Sequence, residues 1–402
     1  MSNAEEQSIS RMCLRTASAA TLALVLGLGA AVSQPAQGQT FTVLYNFTHP
    51  KYGVEPYAGL VRDAKDNFYG TTYSGGGHFL RYGVVYKLDT NGTETVLHNF
   101  TGGTDGANPF AELVRDAAGN FYGTTTAGGA FGLGTVFKLG KGGKETVLHS
   151  FIGGPNDGCE PYGGLLQGTT GDLYGTTPAC GISNGGIVFK VSTTGKETVL
   201  HRFTGLDGAS PAYTRLLRDK KGDLYGVTGG GGAYNQGVVY KLSTTGKLTV
   251  LHSFSGGTTD GCNPYGTPAM DGNGDLYGTT WECGLSNAGI VWKVSKNGNE
   301  TVLHNFAGGA NDGAYPYAGV IMDAKGNLYG DTFAGGGGCE GTYCGTVYTL
   351  SKNGTLTLLH RFVGSDGAYP YAGLIWDAKG NLYGTAVTGG SGGGGTVWKL
   401  TP

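Results

Sequence analysis

The chain has little charge, and the charge it has is balanced. Its 402 residues contain 27 Lys and Arg against 29 Asp and Glu, and no stretch gathers the basic residues into a cluster. A surface that binds nucleic-acid phosphates needs such a cluster of cations. The composition therefore excludes a nucleic-acid-binding role.

Helical periodicity and common catalytic motifs are also missing. No segment of residues 40–402 repeats its apolar residues at a helical period, so an α/β fold has no support. The chain has no His-Glu-x-x-His and no Walker sequence. Whether the chain is an enzyme is therefore left open, and neither a cofactor nor a metal is expected.

Glycine, in contrast, is abundant and regularly spaced. The chain has 79 Gly together with 24 Tyr, 16 Phe and 4 Trp, far more aromatic area than a disordered chain carries. A short phrase such as "DLYGTT" recurs seven times. Its tyrosines lie 51 to 54 residues apart, at Tyr69, Tyr122, Tyr174, Tyr225, Tyr277, Tyr329 and Tyr383.

Each repeat contains four short apolar segments separated by glycine-rich turns. In residues 108–151 these segments are "PFAELVRD", "NFYGTT", "GTVFKL" and "ETVLHSF". Such a pattern is typical of an antiparallel meander, and a period near 50 with four strands per unit indicates a β-propeller. We predict an all-β, seven-bladed β-propeller of four-stranded antiparallel blades, occupying residues 40–402 as one domain.

The two ends of the repeat array predict how the ring closes. The seventh repeat stops after its third segment, "GTVWKL" at 395–400, whereas "FTVLYNF" at 41–47 matches a fourth segment. We therefore expect strand 41–47 to pair with strand 395–400, which removes both exposed sheet edges.

Residues 1–39 have the features of an export signal. Arg11 and Arg15 precede an uncharged apolar run at 16–32, and small residues at Ala36 and Gly38 fit a cleavage site. The run is short for a membrane span, so the mature chain is expected to lack one, although an uncleaved anchor is the alternative. The expected location is extracellular or periplasmic.

Six cysteines follow the apolar run, and Cys13 precedes it. Cys159 and Cys180 are 21 residues apart, as are Cys262 and Cys283, while Cys339 and Cys344 share one loop. Three disulfides fit an exported chain better than a zinc site, whose ligand pairs would converge from two places.

Histidine and aspartate recur at fixed places in the repeats. Six histidines occupy one position of the fourth segment, where Tyr45 replaces the seventh, and an Asp-Gly pair follows them. A catalytic histidine is needed once, so these side chains are expected to be structural, hydrogen-bonded within each blade. The Asp-Gly pairs are expected to be turns rather than calcium sites. Strand alternation would place Val96 and His98 on one face.

Departures from the repeat are the candidate site residues. The loops between blades and those between the second and third strands should gather on one face, which we call the long-loop face. A first-strand position that is Gly59, Gly164, Gly319 and Gly373 elsewhere becomes Glu112 and Arg215. The other candidate ligand-binding residues are Trp281, Glu282, Asp331 and Phe333. Aromatic faces and carboxylates around a pocket suit sugar or peptide binding.

The repeat also resembles a known family. The pattern "GxLYGTTxxGGxxxxGTVYKLxxxGxxTVLHxF", seen in "GNFYGTTTAGG", "GTVFKL" and "ETVLHSF", resembles the GloVer tandem repeat of bacterial exported proteins, the choice-of-anchor group. The resemblance spans residues 41–402. It implies export and supplies no catalytic residues.

The leading functional hypothesis is an extracellular binding module, expected to be a monomer, that binds a glycan or protein on the long-loop face. The alternative is a carbohydrate-active hydrolase or lyase that uses Glu112, Glu282 and Asp331 at the channel mouth. A purely structural role in the envelope is the third hypothesis.

Overall fold

The computed structural model describes residues 39–77, 81–211, 213, 215–339 and 344–401. These residues form seven four-stranded antiparallel sheets, each ordered from an inner first strand to an outer fourth strand. We call the sheets blades 1 to 7, in the chain order of their first strands. The seven-bladed β-propeller expected from the sequence is confirmed. Residues 1–38, which carry the expected export signal, lie outside the described residues.

The strand bounds repeat from blade to blade. The first strands are Val61–Arg62, Val114–Arg115, Leu166–Gln167, Leu217–Arg218, Ala269–Met270, Ile321–Met322 and Ile375–Trp376. The second strands are Phe68–Thr72, Phe121–Thr125, Leu173–Thr177, Leu224–Thr228, Leu276–Thr280, Leu328–Thr332 and Leu382–Ala386. The third strands are Val84–Leu88, Thr135–Leu139, Ile187–Val191, Val238–Leu242, Ile290–Val294, Thr346–Leu350 and Thr396–Thr401. The fourth strands are Glu94–Asn99, Glu145–Ser150, Glu197–Arg202, Leu248–Ser253, Glu300–Asn305, Leu356–Arg361 and, for blade 7, Thr40–Asn46.

The loops carry a few further elements. A 3-10 helix spans Ile182–Asn184. Three short strand pairs join loops of the long-loop face: Gly158–Cys159 with Ala179–Cys180, Gly261–Cys262 with Glu282–Cys283, and Gly313–Ala314 with Ala334–Gly335. Among the described residues, no helix is long and apolar enough to cross a membrane.

The glycine of each "YGTT" phrase makes room for a large aromatic side chain. The centre of each third strand is Tyr86, Phe137, Phe189, Tyr240, Trp292, Tyr348 or Trp398, all fully buried. Each of these rings belongs to the residue directly opposite the glycine, as Phe137 is opposite Gly123. A Cβ on Gly123 would lie 2.7 Å from Cζ of Phe137 and 2.9 Å from Cδ2 of Leu113. The phrase therefore recurs because every blade needs this close approach.

Apolar clusters fill the spaces between neighbouring blades. One of them packs Tyr383 and Val397 of blade 7 against Phe68 and Tyr86 of blade 1. Six further clusters occupy the other blade-to-blade interfaces. Burial of these surfaces is the main favourable contribution to folding, so each blade depends on both neighbours.

The ring closes through the N-terminal strand. Thr40–Asn46 pairs antiparallel with Thr396–Thr401, placing Phe41 opposite Leu400 and Val43 opposite Trp398. The expected pairing of 41–47 with 395–400 is confirmed, with each strand shifted by one residue. Blade 7 is therefore built from both ends of the described chain.

The fourth strands differ from simple alternation. Val85 is opposite His98 and Tyr86 is opposite Val96, so Leu97 is an extra residue in a β-bulge. Val96 packs in the cluster of Tyr86, whereas Leu97 packs in the cluster of Val85. The expectation that Val96 and His98 share a face is therefore wrong, because the bulge shifts the pleat by one residue.

The hairpin turns between first and second strands use the aspartate and the glycine that recur in their sequence. In "DAKGN", the Asp377 carboxylate accepts hydrogen bonds from the backbone N–H groups of Lys379 and Asn381 and from the Tyr383 hydroxyl. Gly380 adopts φ 82°, as such a turn requires. Although burial raises the pKa of Asp377, these donors together with the Asn381 amide lower it to about 2.

The expected disulfides are present. Their Cα atoms are 5.6 Å apart in Cys159–Cys180, 5.5 Å in Cys262–Cys283 and 5.8 Å in Cys339–Cys344. The first two lie where the loop between blades pairs with the loop after the second strand. This pairing confirms that both kinds of loop share one face.

The close approach of Gly123 to Phe137 gives a testable prediction. Gly123→Ala should lower the free energy of unfolding by about 1–3 kcal/mol, because overpacking forces the facing ring to shift. Gly272→Ala is the matched control, since a Cβ there meets nothing within 4 Å. Equal stability of the two variants in urea denaturation would contradict this account of the repeated glycine.

Candidate functional site

Seven aromatic side chains form a collar around the central channel. Each lies four residues before the first strand of its blade, at the end of the loop that enters the blade. The collar residues are Tyr57, Phe110, Tyr162, Tyr213, Tyr265, Tyr317 and Tyr371. Every collar ring contacts the next, with centroids 3.8 to 5.4 Å apart, and Tyr371 contacts Tyr57 to complete the circle.

Contacts across the collar narrow the channel at this level. Phe110 lies 5.4 Å from Tyr371, and Tyr213 lies 5.1 Å from Tyr317, centroid to centroid. Burial raises the pKa of Tyr317 and Tyr371 well above the usual value for tyrosine, so both hydroxyls stay protonated at physiological pH. The collar separates the long-loop mouth of the channel from the space beneath it.

Beneath the collar is a cavity of about 360 Å³, lined by the first strands. Glu112 of blade 2 and Arg215 of blade 4 meet there in an ion pair of 3.0 Å. The backbone N–H of Arg215 donates to the Thr267 hydroxyl at 2.8 Å. A Cβ on Gly164, in the blade between them, would lie 3.1 Å from Cγ of Glu112. Glycine at that position therefore leaves the room in which the two long side chains meet.

The long-loop mouth has an unusual backbone feature. In all seven blades, the residue before the proline that precedes the collar has a left-handed conformation, with φ between 53° and 62°. These residues are Glu55, Asn108, Glu160, Ser210, Asn263, Tyr315 and Tyr369. Asparagine adopts this conformation readily, whereas for tyrosine it is strained. The backbone is thus constant around the mouth while the side chain it presents varies.

Four aromatic side chains cluster on one side of this mouth, contributed by blades 5, 6 and 7. Trp281 lies 5.1 Å from Tyr315 and 5.6 Å from Phe333, centroid to centroid, and Phe333 stacks on Tyr369 at 4.7 Å. All four are partly exposed. We call Trp281, Tyr315, Phe333 and Tyr369 the aromatic patch.

Glu282 and Asp331 lie apart from the patch. Glu282 belongs to the short strand pair beside the Cys262–Cys283 disulfide, opposite Cys262. Asp331 is 1% exposed, in the second strand of blade 6, and neither of its oxygens has a hydrogen-bond partner. Burial raises the pKa of Asp331 well above its usual value.

Other blades show what Asp331 replaces. The equivalent Thr279 donates its hydroxyl to the backbone carbonyl of Ala318 in the next blade, and Thr385 donates to that of Ala58. A protonated Asp331 can donate a hydrogen bond in the same way, whereas an ionised carboxylate cannot. In the structure neither oxygen makes that bond, so Asp331 is a buried acid without the partner that threonine has in other blades.

The structure thus divides the candidate residues into groups. Glu112 and Arg215 converge in the cavity, Trp281 and Phe333 converge in the patch above the collar, and Glu282 and Asp331 join neither. Sequence reasoning missed the collar and the strained residues before it. The Pro-Tyr or Pro-Phe that recurs shortly before the first strand of six blades, and Pro-Ala-Tyr in blade 4, was the available signal.

The recurring histidines and aspartates form pairs at the outer rim. The distance from His Nε2 to the carboxylate ranges from 2.9 Å in His201–Asp207 to 3.4 Å in His98–Asp105. Asp157, for example, also accepts the backbone N–H groups of Ile152 and Gly158. The expected hydrogen bonds are present for four of the six histidines, whereas Nε2 of His98 and of His252 has no hydrogen-bond partner. Where Tyr45 replaces histidine, Tyr52 replaces the aspartate and the Tyr45 hydroxyl donates to Glu94 instead.

Fold and repeat together define the class of protein, a β-propeller of seven tandem repeats. The model of the Gloeobacter/Verrucomicrobia repeat matches residues 24–217 and 212–402. The chain belongs to this family, as the repeat pattern indicated. Comparison with curated proteins finds no match.

Solved structures with the same fold are distant in sequence. The extracellular domain of a protein described as a hybrid two-component system from B. thetaiotaomicron has a TM-score of 0.57 at 11% identity. That match covers 89% of this chain and 39% of that one. A gluconolactonase from Xanthomonas campestris has a TM-score of 0.45 at 14% identity, covering 93% of each chain. At these identities the likeness shows the fold alone.

Asp331 gives a prediction with a defined pH dependence. Asp331→Thr restores the residue type of other blades and should raise the free energy of unfolding by about 1–3 kcal/mol near pH 8, because an unsatisfied buried acid is removed. A carboxyl with a raised folded pKa favours the folded state at low pH and loses that contribution as pH rises. The gain should therefore shrink toward pH 4. Urea denaturation at both pH values measures it, and a gain that is equal at both would contradict a protonated Asp331.

Proposed function

We propose that this protein is an exported binding module that takes an extracellular carbohydrate on the aromatic patch at its long-loop mouth. Trp281 and Phe333 supply stacking faces, Tyr315 and Tyr369 flank them, and carboxylates of the same mouth supply hydrogen-bond acceptors.

The strained tyrosines are the observation that carries this proposal. A non-glycine residue in an unfavourable backbone region costs on the order of 1–3 kcal/mol, and such residues concentrate at ligand sites. Hydrogen bonds explain why asparagine occupies this position in blades 2 and 5, since the side-chain amides of Asn108 and Asn263 donate to backbone carbonyls of the preceding blade. Tyrosine is a poor choice for that conformation. Its occurrence in two adjacent blades, against Trp281 and Phe333, favours a role for the rings themselves.

The chemistry of the mouth suits a sugar. Aromatic faces offer large apolar area with few rotatable bonds, and the C–H groups of a pyranose ring can lie flat on them. Glu55 and Glu160 are partly exposed at the same mouth position in blades 1 and 3. Their carboxylates can accept hydrogen bonds from sugar hydroxyls.

A carbohydrate fits this surface better than a folded protein. The four rings of the patch are all partly buried, so none of them projects fully into solvent. A standard protein interface covers about 800 Å² on each partner and centres on deeply inserted anchors. Four half-buried rings match a small polar ligand better than such an anchor.

The hydrolytic alternative has less support. Cleavage of a glycoside uses two carboxyl groups that flank one bond. Of the three candidates, Glu112 is paired with Arg215 beneath the collar, and Asp331 is enclosed within a blade. Neither arrangement offers a carboxyl pair to a substrate at the mouth.

Export is supported by the cysteine chemistry. Three disulfides are typical of proteins that fold outside the reducing cytoplasm. An extracellular location would expose the long-loop mouth to cell-wall and environmental glycans.

Glycan arrays, followed by calorimetry on the best ligand, test the proposal. Trp281→Ala and Phe333→Ala should each weaken binding at least about tenfold, which corresponds to about 1.4 kcal/mol. Phe131→Ala is the control, because Phe131 is 61% exposed in a loop of blade 2 and belongs to no patch contact. Absence of glycan binding by the folded protein, or an equal loss in the control, would overturn the proposal.

A further inference from the structure

A histidine, an aspartate and a glutamate converge where blades 4 and 5 meet. His252 comes from the fourth strand of blade 4, Asp260 from the loop that follows it, and Glu300 from the fourth strand of blade 5. One ligand atom from each lies within 4.8 Å of the others. Among the described residues, this is the group of three that meets such spacing.

We propose that His252, Asp260 and Glu300 form a binding site for a divalent transition metal, with zinc as the expected ion, which ties blade 4 to blade 5.

The spacing of His252 and Asp260 suits two ligands of one metal. Nε2 of His252 lies 3.4 Å from Oδ2 of Asp260. Tetrahedral zinc with bonds of about 2.1 Å holds its ligand atoms about 3.4 Å apart. A direct N–H···O bond is shorter, as in His201–Asp207 at 2.9 Å, while His98 and Asp105 share the 3.4 Å separation. The third ligand needs only a small movement to join them, and water would complete the tetrahedron.

Two atoms of the group are buried without a hydrogen-bond partner. These are Nε2 of His252 and Oε1 of Glu300. Buried polar atoms are nearly always paired, so each unpaired one calls for an explanation, and a metal ion between these two would satisfy both at once. Nε2 of His98 and Oε1 of Glu145 are unpaired at the interface of blades 1 and 2 as well, so it is the three-way spacing that distinguishes the group at blades 4 and 5.

The remaining ligand is held in place by its neighbours. Asp260 accepts the backbone N–H and the hydroxyl of Ser255, and the backbone N–H of Gly261. The ring of His252 contacts Phe254 edge to face, with centroids 4.8 Å apart. Supporting contacts of this kind orient ligands before the metal arrives.

Two other interfaces of the same propeller lack the third ligand. At the equivalent place of Glu300, Leu248 follows the His201–Asp207 pair and Leu356 follows the His304–Asp312 pair. In both, the histidine is hydrogen-bonded directly to the aspartate, at 2.9 and 3.2 Å. Leucine is therefore compatible with the fold at this position.

Calorimetric titration of the chelator-treated, folded protein with zinc tests the proposal, with Glu300→Leu as the principal variant. The wild type should bind one zinc ion at this site, and Glu300→Leu should weaken that binding at least about 100-fold. Because the variant copies Leu248 and Leu356, it should remain folded, which its thermal unfolding without metal verifies.

Glu145→Leu is the matched control, since Glu145 begins the fourth strand of blade 2 in the same way. It should leave the high-affinity zinc site intact. The optical spectrum of the cobalt-substituted protein should show four-coordinate metal in the wild type and the control alone. Absence of zinc binding by the wild type, equal affinity in Glu300→Leu, or equal loss in Glu145→Leu would overturn the proposal.

Discussion

Seven sheets can surround one axis only if the last sheet packs against the first. Here that requirement is met by Thr40–Asn46, which completes blade 7 beside Thr396–Thr401. Closure buries the cluster between blades 7 and 1 and pairs the strand Thr396–Thr401, whose edge would otherwise be exposed. It also sets the distance of the first strands from the axis. At that distance the aromatic residue before each first strand reaches both of its neighbours, so the collar follows from the closed ring.

Different residues line the channel above and below the collar. Above it, the strained residues of the mouth keep one backbone conformation in every blade while their side chains range from asparagine to tyrosine. Below it, glycines line most of the ring, and the space they leave is taken by Glu112 and Arg215. The backbone is therefore the same in every blade. The blades differ chemically only in the side chains that they carry at a few equivalent positions. A rigid ring with variable side chains on one rim is how binding sites are commonly built on repeat folds.

Much of the fold could be predicted because its determinants are local and repeated. The four-segment pattern, the unmatched segment at 41–47 and the paired cysteines each depend on residues within one repeat or at its ends.

The missed features join residues of different repeats or break a local rule. The bulge at Leu97 inserts a residue that strand alternation does not reveal, and the His–Asp pairs require knowing which way each loop turns. The collar takes one aromatic residue from each of the seven repeats, so its ring-to-ring contacts appear only when the repeats close into a ring. Glu112 and Arg215 were identified as exceptions, but their contact across the Gly164 blade depends on the closed ring.

The interfaces between blades differ in one residue, which faces the histidine and aspartate of the neighbouring blade. Six of the seven interfaces bring a His–Asp pair from one blade against the start of the next blade's fourth strand, and Tyr45 and Tyr52 replace the pair at the interface of blades 7 and 1. The facing residue is Phe41 in blade 7, leucine at positions 248 and 356, and glutamate at positions 94, 145, 197 and 300. Burial raises the pKa of all four glutamates to about 7, so each destabilises the folded state once ionised. Leucine at the same place carries no such cost, since it buries no charge. Because a buried ionised glutamate lowers the stability of the fold and yet occurs at several interfaces, we expect a neighbouring group that compensates for it. Glu94 has one in the Tyr45 hydroxyl, and Glu300 lies within 4.8 Å of His252 and Asp260, the spacing on which the proposed metal site rests.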